Sequence, residues 1–141
     1  MADQPAMSTV AIVEDHGPLR VFLREALTSM GWTVTGIAGS VDNGEELLLA
    51  TEPELAVVDL HLASEGGGQA LIGRLAEAGS QTRIVVFTAS ADPAELGHVI
   101  DAGVHGIVSK EGGLPELAAG LDAVHAGERF LSPSLPALQP A

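Results

Sequence analysis

Three acidic residues stand at the ends of the two most apolar stretches of this 141-residue chain. "VAIVED" closes on Glu14 and Asp15, and "LAVVDL" carries Asp59. A carboxylate after a strand often only caps a turn, but two more apolar stretches end on polar groups. "RIVVFT" ends on Thr88 and "GIVSK" on Lys110. Carboxylates gathered in one place repel: two unit charges ~4 Å apart at an effective dielectric of ~20 cost roughly 4 kcal/mol. They must take up protons or share a cation. An all-oxygen cluster suits a hard divalent ion, and Mg²⁺ is held by one or two carboxylates with waters and phosphate oxygens completing its shell. A hydroxyl and an ammonium beside such an ion make a receptor for a phosphoryl group, whose transfer is mostly positioning and charge neutralisation. A carboxylate can itself be the nucleophile, giving an acyl phosphate. Asp59 is the candidate, because its strand would lie between the metal acids and the Thr88–Lys110 pair.

The elements that would place these groups alternate along the chain. Strands are predicted at 9–15, 33–38, 55–60, 83–90 and 106–110, each a short apolar run. After the first, Leu19, Phe22, Leu23, Ala26, Leu27 and Met30 recur at helical spacing, with Pro18 opening the helix and Gly31 closing it. Further helices are predicted at 43–51, with Glu45 and Glu46 near its positive end, and at 69–79, 92–103 and 114–127. Asp92 and Pro93 form a capping start for the fourth. Five βα units predict an α/β fold, a doubly wound (βα)5 with a five-stranded parallel sheet. Its strands are apolar without alternation because both faces are covered. The strand order 2-1-3-4-5, one of the two common doubly wound orders, is adopted and not read from the residues. In it strands one and three are neighbours, and Glu14, Asp15 and Asp59 converge where ligands bind in such sheets.

Composition narrows the function. Apolar residues make up 46% of the chain, enough for a folded core. Six basic against nineteen acidic residues give a net charge of −13, which repels nucleic-acid phosphates. No apolar run is long enough to span a membrane, and no secretory leader is visible, so the cytoplasm is the expected compartment. Zero cysteines exclude disulfides and thiolate metal sites. His16, His61, His98, His105 and His125 show no metal-ligand spacing. "EDHGPL" is not a dinucleotide-binding glycine loop, and "ASEGGGQ" lacks the lysine of a P-loop. That glycine run reads as a flexible loop leading into helix three. Trp32 is expected to pack near the end of helix one.

"VAIVEDHGPLR", "LAVVDLHL", "VVFTAS" and "AGVHGIVSK" together resemble the response-regulator receiver domain of two-component signalling. The resemblance covers about residues 8–131 and implies the flavodoxin-like receiver fold, with 132–141 a linker or C-terminal tail. It implies that Asp59 takes a phosphoryl group from a sensor histidine kinase and that the chain is a switch, not an enzyme. It implies Mg²⁺ held by Glu14, Asp15, Asp59 and the main-chain carbonyl of His61, with Thr88 and Lys110 on the phosphoryl oxygens. "LDAVHAGERFLSPSL" is similar to the last receiver helix of regulators with a LuxR-type helix-turn-helix output. The implied partners are that kinase, a second copy through the helix 4–strand 5–helix 5 face or through helices 1 and 5, and DNA only through a C-terminal domain absent from this chain. Three positions depart from the pattern: Ile107 where an aromatic often stands, Ala63 where proline often stands, and the long glycine run. The competing reading is a receiver-shaped module that is never phosphorylated and works by dimerisation or docking, or a stand-alone receiver whose output is a protein partner.

Overall fold

The computed structural model describes residues 8–62 and 67–135. Its elements run β1 (Thr9–Val13), α1 (Gly17–Ser29), β2 (Thr33–Ala38), α2 (Val41–Thr51), β3 (Leu55–Val58), α3 (Gly67–Glu77), β4 (Arg83–Thr88), α4 (Pro93–Asp101), β5 (Gly106–Ser109), α5 (Gly113–His125) and β6 (Phe130–Leu131). All strands pair in parallel, in the order β2-β1-β3-β4-β5-β6. The expected five-strand order is therefore present, with one short strand added at the β5 edge.

The strands are apolar throughout because successive side chains leave on opposite faces and both faces are covered. Ala11, Val13, Ala56 and Val58 face a cluster that includes Leu48 of α2, Leu71 and Leu75 of α3, and Leu96 and Val99 of α4. Val10, Ile12, Leu55 and Val57 face the other cluster, built with Leu23 and Leu27 of α1 and Leu117, Leu121 and Val124 of α5. Trp32 joins this second cluster just past α1 and meets the His125 ring edge-on, centroids 5.6 Å apart.

Local chemistry sets the helix starts. Asp92 caps α4 by accepting from the Ala94 N–H at 3.0 Å, with Pro93 in the first position. α2 begins two residues before the expected Asn43, because Ser40 caps it and accepts the Asn43 N–H at 3.1 Å. Asp42 therefore occupies the first turn, ahead of Glu45 and Glu46. Arg74 of α3 reaches both Asp42 (2.8 Å) and Glu45 (3.1 Å).

β6 has no counterpart among the expected elements. Its two residues pair with Gly106 and Ile107 of β5. The Ser132 and Ser134 hydroxyls donate to the Glu116 carboxylate of α5, and Leu135 is buried in the first cluster. The expected start of a linker at 132 falls inside this anchored segment, and residues 136–141 lie outside the described ones.

His105 precedes β5, and its Nδ1 accepts the Ile84 N–H at 3.2 Å. Burial, helped by the positive charges of Arg129 and Arg83, lowers its pKa below the usual histidine value. A histidine whose folded pKa lies below its unfolded one binds fewer protons when folded, so stability rises with pH. Its contribution is complete above about pH 6.5, the unfolded value, and is lost as pH falls from there through the folded pKa. Urea midpoints are expected to drop between neutral and mildly acidic pH. His105→Asn, which keeps an acceptor for Ile84 and does not titrate, should show a flatter slope; an unchanged slope would reject the assignment.

Candidate functional site

Register brings the acids together. Val13 of β1 pairs with Val58 of β3, so the next residues, Glu14 and Asp59, leave the sheet side by side. The Asp59 N–H donates to the Val13 carbonyl (3.1 Å), and the Glu14 N–H to the Ala38 carbonyl (2.9 Å). Carboxylate oxygens of Glu14, Asp15 and Asp59 lie within 4.8 Å of one another. Glu14 and Asp59 are only 2% and 6% exposed, while Asp15 faces solvent. Such a set, all hard oxygen donors around one small space, fits a divalent cation of the Mg²⁺ type.

Lys110 opens a three-residue 3-10 turn immediately after β5 and bends over the acids. Its Nζ lies 3.0 Å from Glu14 Oε1 and 3.3 Å from Asp59 Oδ2. Burial pushes the Glu14 carboxyl above its usual value; the His16 N–H at 3.1 Å and Lys110 oppose this without cancelling it, and the Asp59 charge adds to it. Burial would lower Lys110, but its hydrogen bond to Glu14 and the Asp59 charge outweigh that and hold the ammonium above its ordinary pKa. The Arg20 guanidinium braces the corner from α1 by donating to the Glu14 carbonyl at 2.7 Å.

Thr88, the last residue of β4, pairs with Ser109 and is fully buried. Its hydroxyl oxygen accepts the Ser90 N–H at 3.0 Å. His61 donates its backbone N–H to Asp59 Oδ1 (3.2 Å), and its ring Nε2 lies 2.8 Å from Glu95 Oε2. The other Glu95 oxygen accepts the Ser90 hydroxyl at 2.6 Å. Burial works to raise the Glu95 pKa, but these two partners prevail and hold it below the ordinary carboxylate value. Asp59, Glu14, Asp15, His61, Thr88 and Lys110 therefore share one edge of the sheet. Ser90, Glu95 and Arg20 join them without having been singled out in the sequence. Nothing in local spacing marks Glu95, which reads as an acid in the first turn of a helix.

The glycine run has a steric role where it is described. Residues 63–66, Ala63 among them, lie outside the described part, but Gly67 and Gly68 are the first residues of α3. The Gly68 N–H donates to the Leu60 carbonyl at 2.8 Å, and a Cβ built there would lie 2.4 Å from the Asp59 carbonyl oxygen. Ile107 is 1% exposed and sits in the same cluster as Leu96 and Val99 of α4.

A doubly wound sheet with acids after β1 and β3 and a lysine after β5 defines the receiver class of signalling domain. The chain matches the response regulator receiver domain family over residues 10–122 and belongs to it. It is similar to the nitrate/nitrite response regulator protein NarL of Escherichia coli, 29% identical over 129 residues, covering 91% of this chain and 59% of that one. The chain thus spans less than two thirds of that relative's length. A two-component response regulator of the LuxR family from an Aurantimonas species superposes with a TM-score of 0.86 at 26% identity, covering 94% of both chains. The isolated REC domain of RcsB from Salmonella enterica, solved with phosphomimetic BeF3⁻, gives 0.84 at 26% identity, covering 95% of this chain and 99% of that one. RcsB dimers bound to DNA give 0.85 at 27% identity, covering 94% of this chain and 66% of that one. No described helix is long and apolar enough to cross a membrane.

Proposed function

We propose that this chain is the phosphoacceptor of a two-component system, with Asp59 as the nucleophile. The observation that carries this is a buried carboxylate held between Glu14 and Lys110, with Asp15 at the open side. An Asp59 oxygen attacks the phosphorus of a phosphohistidine. A new O–P bond forms, the N–P bond breaks, and the departing imidazole keeps the electron pair. Glu14, Asp15, Asp59 and the His61 carbonyl would hold Mg²⁺, which when bound offsets negative charge on the phosphoryl oxygens. Lys110, whose Nζ lies 3.0 Å from Glu14 and 3.3 Å from Asp59, supplies a fixed positive charge beside the acceptor carboxylate, and the Thr88 hydroxyl supplies a hydrogen bond.

The partners follow from this role: a sensor histidine kinase in the cytoplasm, and a transcriptional output through a DNA-binding domain beyond this chain. For a second copy, helices α1 and α5 fit better than the α4–β5–α5 face. Phe22 and Val21 are both exposed on α1, Phe22 at 51%, against Ile100 alone on α4, and β6 already pairs with β5 while Ser132 and Ser134 bind Glu116.

The test is incubation with a small phosphodonor and Mg²⁺, followed by intact-mass measurement and peptide mapping. One added phosphoryl group on the peptide carrying Asp59 is expected. No adduct, and no amide shifts around Asp59 with beryllofluoride, would favour the unphosphorylated docking module. Mg²⁺ alone should also raise the melting temperature, since a ligand at 100 times its Kd stabilises by about 2.7 kcal/mol.

A further inference from the structure

We infer that Glu95 is a positioning residue that couples the Asp59 site to α4 through the hydrogen-bonded series Thr88–Ser90–Glu95–His61. This rests on the reading of Asp59 as phosphoacceptor and adds how its state reaches the surface. Both ends of the series touch the site: the His61 N–H binds Asp59 Oδ1, and Thr88 is the buried end of β4. The middle belongs to α4. Each Glu95 oxygen takes one partner, Ser90 at 2.6 Å and His61 at 2.8 Å, so the first turn of α4 is clamped to the loops after β3 and β4. Ser90 reaches the helix start a second way, because its hydroxyl oxygen also accepts the N–H of the capping residue Asp92 at 3.2 Å. The Glu95 side chain is 18% exposed and the His61 side chain 50%, so the Ser90 contact is the better shielded of the two and the stronger link.

The apolar route offers no comparable device. Ile107 is packed among residues that include Leu96 and Val99 and carries no ring that could exchange an inner for an outer position. Phosphorylation changes both ends of the polar route. Conversion of Asp59 to an acyl phosphate removes the carboxylate charge and weakens the acceptor of the His61 N–H. The phosphoryl oxygens give the Thr88 hydroxyl a new anionic acceptor, drawing it from the Ser90 N–H. Each change alters a partner of Glu95 and so biases the position of α4.

The experiment follows backbone amide shifts of the full chain on addition of beryllofluoride and Mg²⁺. In the wild type, residues around Asp59 and Lys110 and those of α4 from Leu96 to Asp101 are expected to shift together. Glu95→Ala and Ser90→Ala should keep the shifts at Asp59 and Lys110 and lose those of α4. Glu95→Gln still accepts from Ser90 and should retain most of the α4 response, which a purely structural role for the charge would not restore. An α4 response of wild-type size in Glu95→Ala or Ser90→Ala, or its full loss in Glu95→Gln, overturns the inference. Absence of shifts at Asp59 in the wild type instead overturns the phosphoacceptor reading.

Discussion

Asp59→Asn is expected to abolish covalent phosphoryl labelling while leaving the fold intact. An amide has no anionic oxygen to attack phosphorus, and it removes one of the negative charges that would attract a divalent cation. The fold should persist because Lys110 keeps its 3.0 Å contact with Glu14 and no buried charge is stranded. The substitution also relieves repulsion between two buried carboxylates whose oxygens lie within 4.8 Å of each other. The thermal midpoint without Mg²⁺ should therefore stay near wild type, and the rise produced by Mg²⁺ should shrink. Intact mass after phosphodonor treatment and melting curves with and without Mg²⁺ measure both effects. A persistent adduct would move the nucleophile to another side chain and remove the central role of Asp59.

Gly68→Ala should destabilise the protein strongly for a small change in volume. The added methyl would meet the Asp59 carbonyl oxygen at 2.4 Å and the Leu60 Cα at 2.5 Å. Both are backbone atoms, so no rotamer change relieves the clash. Either α3 backs away from β3 or the segment carrying Asp59 moves. Overpacking of this kind costs about 1–3 kcal/mol, and here the strain falls on the loop that holds Asp59, so any stabilisation by Mg²⁺ should weaken as well. Gly73→Ala is the control in the same helix. No heavy atom lies within 4 Å of its added carbon, and replacing glycine by alanine inside a helix stabilises by roughly 0.5–1 kcal/mol. Chemical denaturation should therefore give opposite signs for the two variants. Equal or reversed signs would mean that α3 does not approach the Asp59 loop as described.

Much of the site was legible because a parallel α/β sheet converts position in sequence into position in space. An apolar run that ends on an acid puts that acid at the carboxyl edge of the sheet, whichever helices follow. Glu14, Asp15, Asp59, Thr88 and Lys110 could thus be assigned to one edge from strand ends alone. Capping was readable at Asp92, where proline follows at once, and less so at Ser40, where α2 started earlier than its apolar spacing suggested.

What the sequence could not supply were contacts between residues far apart along it and lacking a local signature. Strand adjacency was one: the placement of β1 beside β3 was adopted from a known order, and only the pairing of Val13 with Val58 makes Glu14 and Asp59 neighbours. β6 was another, since two residues in a proline-rich tail carry no periodicity and become a strand only because the edge of β5 is open to them. Lys110 could be placed at a strand end, but its bend onto Glu14 and Asp59 depends on the turn that follows. Glu95 meets His61 across 34 positions of sequence. Periodicity and caps act over one or two turns of chain, so the amino-acid order by itself determined the elements and the ends of the strands. Which carboxylate faces which cation depends on how the helices settle against both sides of the sheet, and that only the tertiary structure decided.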